Sequence, residues 1–191
     1  MKMLLHICCA PCSIYPINAL RSGGHDIMGF FHNSNIHPSM EYFKRLEVVA
    51  DYARHIDLKL IVSDTYDMEG FLRAVTFREA ERCRYCYYDR LRTTALIARR
   101  GKFEGFSSTL LYSKFQKHDL IRSVGEAVSR EVGIPFWYED FRSGWENGVE
   151  NSRAMGMYRQ QYCGCIYSEK DRYYSSYKKA SGFSSIKNST K

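Results

Sequence analysis

The chain has 191 residues, 45% hydrophobic and 15% aromatic, enough for one sizeable core and short for two. A single catalytic domain over residues 1–180 is therefore expected, with a disordered polar tail over 181–191. It has no apolar run of about 18 residues and no secretion-type apolar segment, which argues against a membrane span or export and for a cytoplasmic protein.

The net charge is +7, and the segment from Arg73 to Lys102 carries +6 of it, with nine basic and three acidic residues. Seven cysteines is an odd number, and they fall in three tight groups: Cys8/Cys9/Cys12, Cys83/Cys86 and Cys163/Cys165. A secreted disulfide framework spreads an even number of cysteines through a small chain, so this clustering points to metal or redox chemistry.

Met3 to Cys8 reads as a buried strand, Cys9 to Cys12 as the turn after it, and Cys12 or Ser13 as the start of a helix running through Leu20. The thiols then stand at the carboxyl end of a strand, where open α/β sheets keep their ligand sites. Neighbouring residues of a strand point to opposite faces, so Cys8 and Cys9 reach one centre only if the chain is already turning, as Ala10-Pro11 allows.

Arg21-Ser22-Gly23-Gly24-His25-Asp26 looks like the phosphate loop of ATP-pyrophosphatases. It follows a helix and opens a strand, however, and so reads as a glycine C-cap. Ile27 to His32 is the second strand, and Asn33 to Pro38 a polar loop. A helix follows from Ser39, its expected N-cap, to His55, with Tyr42, Leu46, Val49 and Ala53 as the buried stripe.

Leu58 to Val62 is a third strand and Met68 to Phe77 a helix. Glu79 to Arg100 is a further helix, broken or begun near Cys83 and ended by Gly101. Phe103 to Thr109 is a fourth strand, His118 to Val132 a helix closed by Gly133, Pro135 to Tyr138 a short fifth strand, and Trp145 to Tyr177 of mixed helical character. Strands alternating with helices give an α/β fold, a single Rossmann-like, doubly wound parallel sheet with a cysteine-rich turn after its first strand.

Cys83 and Cys86, at i and i+3, share one helix face or one turn. With Cys8 and Cys9 they make four thiolates, the number taken by zinc or by a 4Fe-4S cluster, and spacing leaves the two open. The surrounding arginines favour thiolates and offset the charge of a thiolate-bound centre.

Cys163-Gly164-Cys165 suits either a strained, easily reduced redox pair or a further pair of metal ligands. Cys12 reads as a catalytic or redox partner, a ligand to a second iron or other metal, or a small residue buried at a helix start. His6 reads as a core histidine. His32 and His37 flank a loop at a strand end, where substrate would bind, and His118 reads as a substrate contact or a helix cap. Arg82, Arg84, Arg90 and Tyr85, with Tyr87 and Tyr88 beside them, suit an RNA whose phosphates need charge and whose bases need stacking. A solvated helix face accounts for the same charge.

Taken together, Cys-Cys-Ala-Pro-Cys at 8–12, the Cys-x-x-Cys and Cys-x-Cys pairs, Asn35-Ile36-His37-Pro38, Tyr112 to Asp119 and Tyr162-Cys163-Gly164-Cys165 are specific in their order. From about Leu4 to Ser168 the chain resembles the QueH type of epoxyqueuosine reductase. The resemblance implies a cobalamin-independent oxidoreductase that converts epoxyqueuosine to queuosine at the tRNA wobble position, the last step of that modification. It also implies a 4Fe-4S cluster on Cys8, Cys9, Cys83 and Cys86 and a redox-active disulfide between Cys163 and Cys165. The partners would be tRNA and an electron donor that the sequence does not identify. Two other readings compete. One is a thioredoxin-like dithiol oxidoreductase built on Cys9-Ala10-Pro11-Cys12 and a strand after Ile134-Pro135. The other is a non-catalytic, zinc-containing RNA-binding module.

Overall fold

Met3, Leu4 and Leu5 are all fully buried, although alternate side chains of a strand face opposite ways. Strand β1 (Lys2–His6) is therefore covered on both faces, as the central strand of a parallel sheet must be. The computed structural model describes residues 1–180 and pairs β1 in parallel with β2 (Asp26–Phe31) on one side and β4 (Gly105–Ser108) on the other. With β3 (Leu60–Val62) outside β2, the order is β3-β2-β1-β4, all parallel. The tail expected over 181–191 lies outside the described residues.

Chain order reverses between β1 and β4, which makes the crevice beyond their carboxyl ends the switch point of the sheet. Right-handed crossovers put α1 (Ala10–Ser22) and α2 (Ser39–His55) on one face. They put α3 (Met68–Val75) and α4 (Arg82–Arg100) on the other, where α5 (His118–Val132) packs on α4. Helix α6 (Trp145–Ala154) returns to α1, and α7 (Ile166–Ala180) ends the described chain. No helix among the described residues is long and apolar enough to cross a membrane.

Several boundaries differ from the sequence expectation for local reasons. Helix α1 starts at Ala10, not at Cys12 or Ser13, because Pro11 in the first turn lacks an N–H that the helix would leave unpaired anyway. Cys9 is its N-cap. Pro38, not Ser39, occupies the N-cap of α2, and no side chain caps it. The α3 helix stops at Val75, two residues early, and Phe77 takes a positive φ of 61°.

The fifth strand shrinks to one bridge between Phe106 and Phe136. Two backbone bonds form there, Phe106 N–H to Pro135 O (3.0 Å) and Trp137 N–H to Phe106 O (2.8 Å). Pro135 has no N–H with which to lengthen the ladder, and the thioredoxin-like reading loses the strand on which it relied. The glycine C-cap does form: Gly23 ends α1 and Gly24 has φ 76°.

His6 binds the strand ends together. Its Nε2–H donates to the His32 carbonyl (3.0 Å), and its Nδ1 accepts from Ser108 Oγ (2.9 Å). Burial above all, with Arg90 adding to it, drives its pKa down from 6.5 to about 3. The unfolded chain thus binds a proton that the folded chain refuses between those values, so stability is lost as pH falls through that window. Between about pH 7 and pH 4.5, the urea midpoint of the wild type should fall further than that of His6→Gln, and equal losses would contradict the assignment.

Candidate metal and redox site

The turn after β1 is placed by its neighbour strand. The Cys8 amide donates to Thr109 Oγ1 (3.1 Å), just beyond the end of β4. Cys9 caps α1 and Cys12 lies in its first turn, so the helix folds the three side chains back toward one point. All three are buried, and their sulfurs lie within 4.8 Å of one another, Cys8 and Cys9 at 3.8 Å. Sulfurs around one tetrahedral zinc are about 3.8 Å apart, so this is the spacing of ligands to a single ion.

The Cys8 thiol is held well below its usual range by the S–H groups of Cys12 and Cys9, against burial. Burial drives Cys9 up, and its sulfur neighbours drive Cys12 up. Gln160 Nε2 donates to Cys9 (2.8 Å) and Cys12 (3.5 Å), and Thr109 Oγ1 donates to Cys8 (3.4 Å).

Cys83 and Cys86, in the first turns of α4, are not part of that tight group. They stand near enough to Cys163 and Cys165 for their charges to interact. Burial pushes Cys86 up to about 12 while Arg90 pulls the other way. All seven cysteines are free thiols, Cys163 and Cys165 included.

The loop carrying Cys163 and Cys165 is clamped from below. Arg45, only 2% exposed, donates Nη1 to the Cys163 carbonyl (2.8 Å) and Nη2 to the Tyr162 carbonyl (3.0 Å). Its Nε bonds Glu41 (2.7 Å), whose other oxygen accepts from Tyr158 (2.6 Å). The His37 amide donates to Gly164 O (2.8 Å), and the Ile166 amide to His37 Nδ1 (3.1 Å). Gly164, at φ 147°, is closely fitted: a Cβ there would lie 3.1 Å from Ile36 Cγ1 and 3.4 Å from Arg45 Nη1.

Cys8, Cys12 and Cys163 line one cavity of about 660 Å³, together with Arg90. Its outer wall is aromatic. Tyr112 stacks on Trp145 (5.2 Å between centroids), Phe115 meets Trp145 edge-on (5.4 Å), and Phe115 is 85% exposed. Tyr112 OH reaches the Trp145 carbonyl (2.9 Å) only because residue 148 is glycine, where a Cβ would lie 2.3 Å from that oxygen. Such a volume accommodates a nucleoside.

The donor set fits a thiolate-bound metal centre. Arg90 is 1% exposed, has no carboxylate ion pair among the described residues, and acts on Cys86, Cys163 and Cys8. A buried cation without a carboxylate, set among thiols, suits an anionic group at that place.

The sequence-derived substrate residues scatter. Arg82 pairs with Asp171 (2.6 Å), whose side chain lines the cavity. Arg84 and Tyr85 line a separate pocket of about 350 Å³ between α3, α4 and α5. Arg90 lines the main cavity from beneath, and His118 is buried against Tyr138 OH (3.0 Å), outside it. His32 bonds Asp89 (3.3 Å) and Ser63 (3.1 Å). Tyr87 is buried, so it offers no face for a base. Sequence reasoning missed Arg45, Gln160, Trp145 and Phe115. For Arg45 a signal existed: Glu41 and Arg45 at i, i+4 beside the apolar stripe of α2.

A family model described as epoxyqueuosine reductase QueH matches residues 3–171. A protein of Dehalococcoides mccartyi named epoxyqueuosine reductase QueH is 37% identical, over 90% of this chain and 94% of that one. Its namesake in Thermotoga maritima is 35% identical, over 89% and 91%. Among solved structures, a predicted subunit of tRNA methyltransferase from Methanocaldococcus jannaschii shares the fold, with TM-score 0.58 and 13% identity over 80% of this chain and 74% of that one.

Removing the Arg45 guanidinium leaves Glu41 buried and the loop unclamped. Arg45→Met should cost about 3–5 kcal/mol of stability. It should also speed iodoacetamide labelling of Cys163 and Cys165 relative to Cys8, read by peptide mass spectrometry. An unchanged labelling ratio would contradict the clamp.

Proposed function

The chain belongs to the epoxyqueuosine reductase QueH family, and on that premise we propose that residues 1–180 act as one cytoplasmic catalytic unit that reduces epoxyqueuosine in tRNA to queuosine. The observation that supports this reading is the shared cavity, lined by Cys8 and Cys12 of the thiol triad and by Cys163 of the cysteine pair.

In this reading Cys8, Cys9, Cys83 and Cys86 hold a 4Fe-4S cluster, and Cys12, whose sulfur lies within 4.8 Å of those of Cys8 and Cys9, would take a second metal beside it. When bound, the cluster supplies one-electron transfer beside the substrate. The chain's own residues do the rest. Trp145 and Phe115 stack on the flipped base, with Tyr112 backing Trp145 from the core, and Arg82, Arg84 and Tyr85 hold flanking nucleotides of the anticodon loop. Gln116 Nε2 donates to Cys163 Sγ (3.1 Å) and keeps that sulfur turned to the cavity.

Removal of an epoxide oxygen as water, leaving an alkene, takes two electrons and two protons. Oxidation of Cys163 and Cys165 from two thiols to a disulfide releases that number of each, and an external electron donor must then reduce the disulfide.

Anaerobic protein should show broad visible absorption with about four iron and four sulfide per chain. Cys83→Ser should lose both, whereas Cys163→Ser should keep the iron and lose turnover of epoxyqueuosine tRNA. A colourless chain with stoichiometric zinc would overturn the proposal in favour of an RNA-binding module. A colourless chain holding no metal, if iron had not been lost in preparation, would favour a dithiol oxidoreductase.

A further inference from the structure

Arg90 is the bulkiest fully buried side chain among the described residues, and none of their carboxylates forms an ion pair with it. Its Nε and Nη2 both donate to Asn35 Oδ1, at 3.2 and 2.8 Å. Nη1 donates to nothing among the described residues. The one carboxylate beside it in sequence, Asp89, is turned elsewhere, accepting from His32 (3.3 Å) and Ser34 (3.0 Å). Burial of a charge held only by a neutral amide is unfavourable unless an anion meets it. The groups whose negative charge would act most on Arg90 are the sulfurs Cys86, Cys163 and Cys8, ahead of Asp89.

Asn35 repeats the pattern. Its Oδ1 is committed to Arg90, and its buried Nδ2, which meets no oxygen or nitrogen acceptor, faces Cys86 and favours that thiolate. Helix α4 and the loop after β2 thus present a fixed cation and an N–H donor to the same thiols. Both side chains are buried, and Arg90 also lines the cavity.

We propose that Arg90, oriented by Asn35, is a built-in counter-charge that raises the reduction potential of the thiolate-bound centre linking the Cys8 turn to Cys86. It is a positioning residue, and the inference rests on the cluster reading above. Reduction adds a negative charge to such a centre, and a fixed positive charge at low dielectric favours the reduced form; net charge and hydrogen bonds to the sulfurs set cluster potentials in the same way.

The test is a redox titration, followed by visible absorption and electron paramagnetic resonance, of anaerobically purified wild type, Arg90→Lys, Arg90→Gln and Asn35→Asp. Arg90→Gln, which removes the charge, and Asn35→Asp, which neutralises the guanidinium in place, should shift the midpoint to more negative potential at unchanged iron content. Arg90→Lys should stay nearer the wild type. Wild-type midpoints in both neutralised variants would overturn the inference, as would wild-type midpoints accompanied by weakened tRNA binding, which would assign Arg90 to phosphate contact. If Arg90→Gln does not fold, Asn35→Asp decides alone, because it opens no cavity. A wild-type chain without iron refutes the cluster reading itself, a result distinct from loaded variants with unshifted potentials.

Discussion

The hydrogen bond from the Cys8 amide to Thr109 Oγ1 is the constraint from which the site follows. It ties the end of β1 to the end of β4 across the point where strand order reverses, so the three thiols of the turn stand over the crevice and not along a sheet edge. His6, one residue pair below, anchors the same corner through Ser108 and the His32 carbonyl. With both strand ends pinned, α1 can begin immediately, and its first turn carries Cys12 back to Cys8 and Cys9.

Two buried arginines then divide the work. Arg45 has a carboxylate partner, Glu41, and spends its remaining donors on the backbone of the Cys163 loop, so its task is geometric. Arg90 has only an amide partner and keeps its charge available to the sulfurs, so its task is electrostatic. The fold needs both, because the cysteine pair arrives from a segment between α6 and α7 with little regular structure of its own. Loop residues that must hold a reactive geometry depend on rigid elements beneath them.

The sheet was legible in the sequence because buried parallel strands are short apolar runs and their crossovers are periodic helices. Met3 to Cys8 and Ile27 to His32 announced the strands on which the site depends, observed at Lys2–His6 and Asp26–Phe31. The fifth strand was not, since Pro135 satisfies a strand's apolar pattern while withholding the donor that a ladder needs. Charge was the least legible quantity. Arg84 and Arg90 are less than two helical turns apart in a single basic segment, yet one is solvated and the other buried. Only the packing of α4 against β1 and the Asn35 loop separates them. The aromatic wall was hidden for a similar reason. Tyr112 and Trp145 are far apart in sequence and meet only where Gly148 leaves room.

The central claim is that the thiols of the β1 turn and those of α4 serve one metal centre at the switch point, next to Arg90. An anomalous difference map collected at the iron edge from anaerobically grown crystals tests it most directly. The account predicts iron density bounded by Cys8, Cys9, Cys83 and Cys86. A single metal peak confined to Cys8, Cys9 and Cys12, with Cys83 and Cys86 unligated, would contradict it.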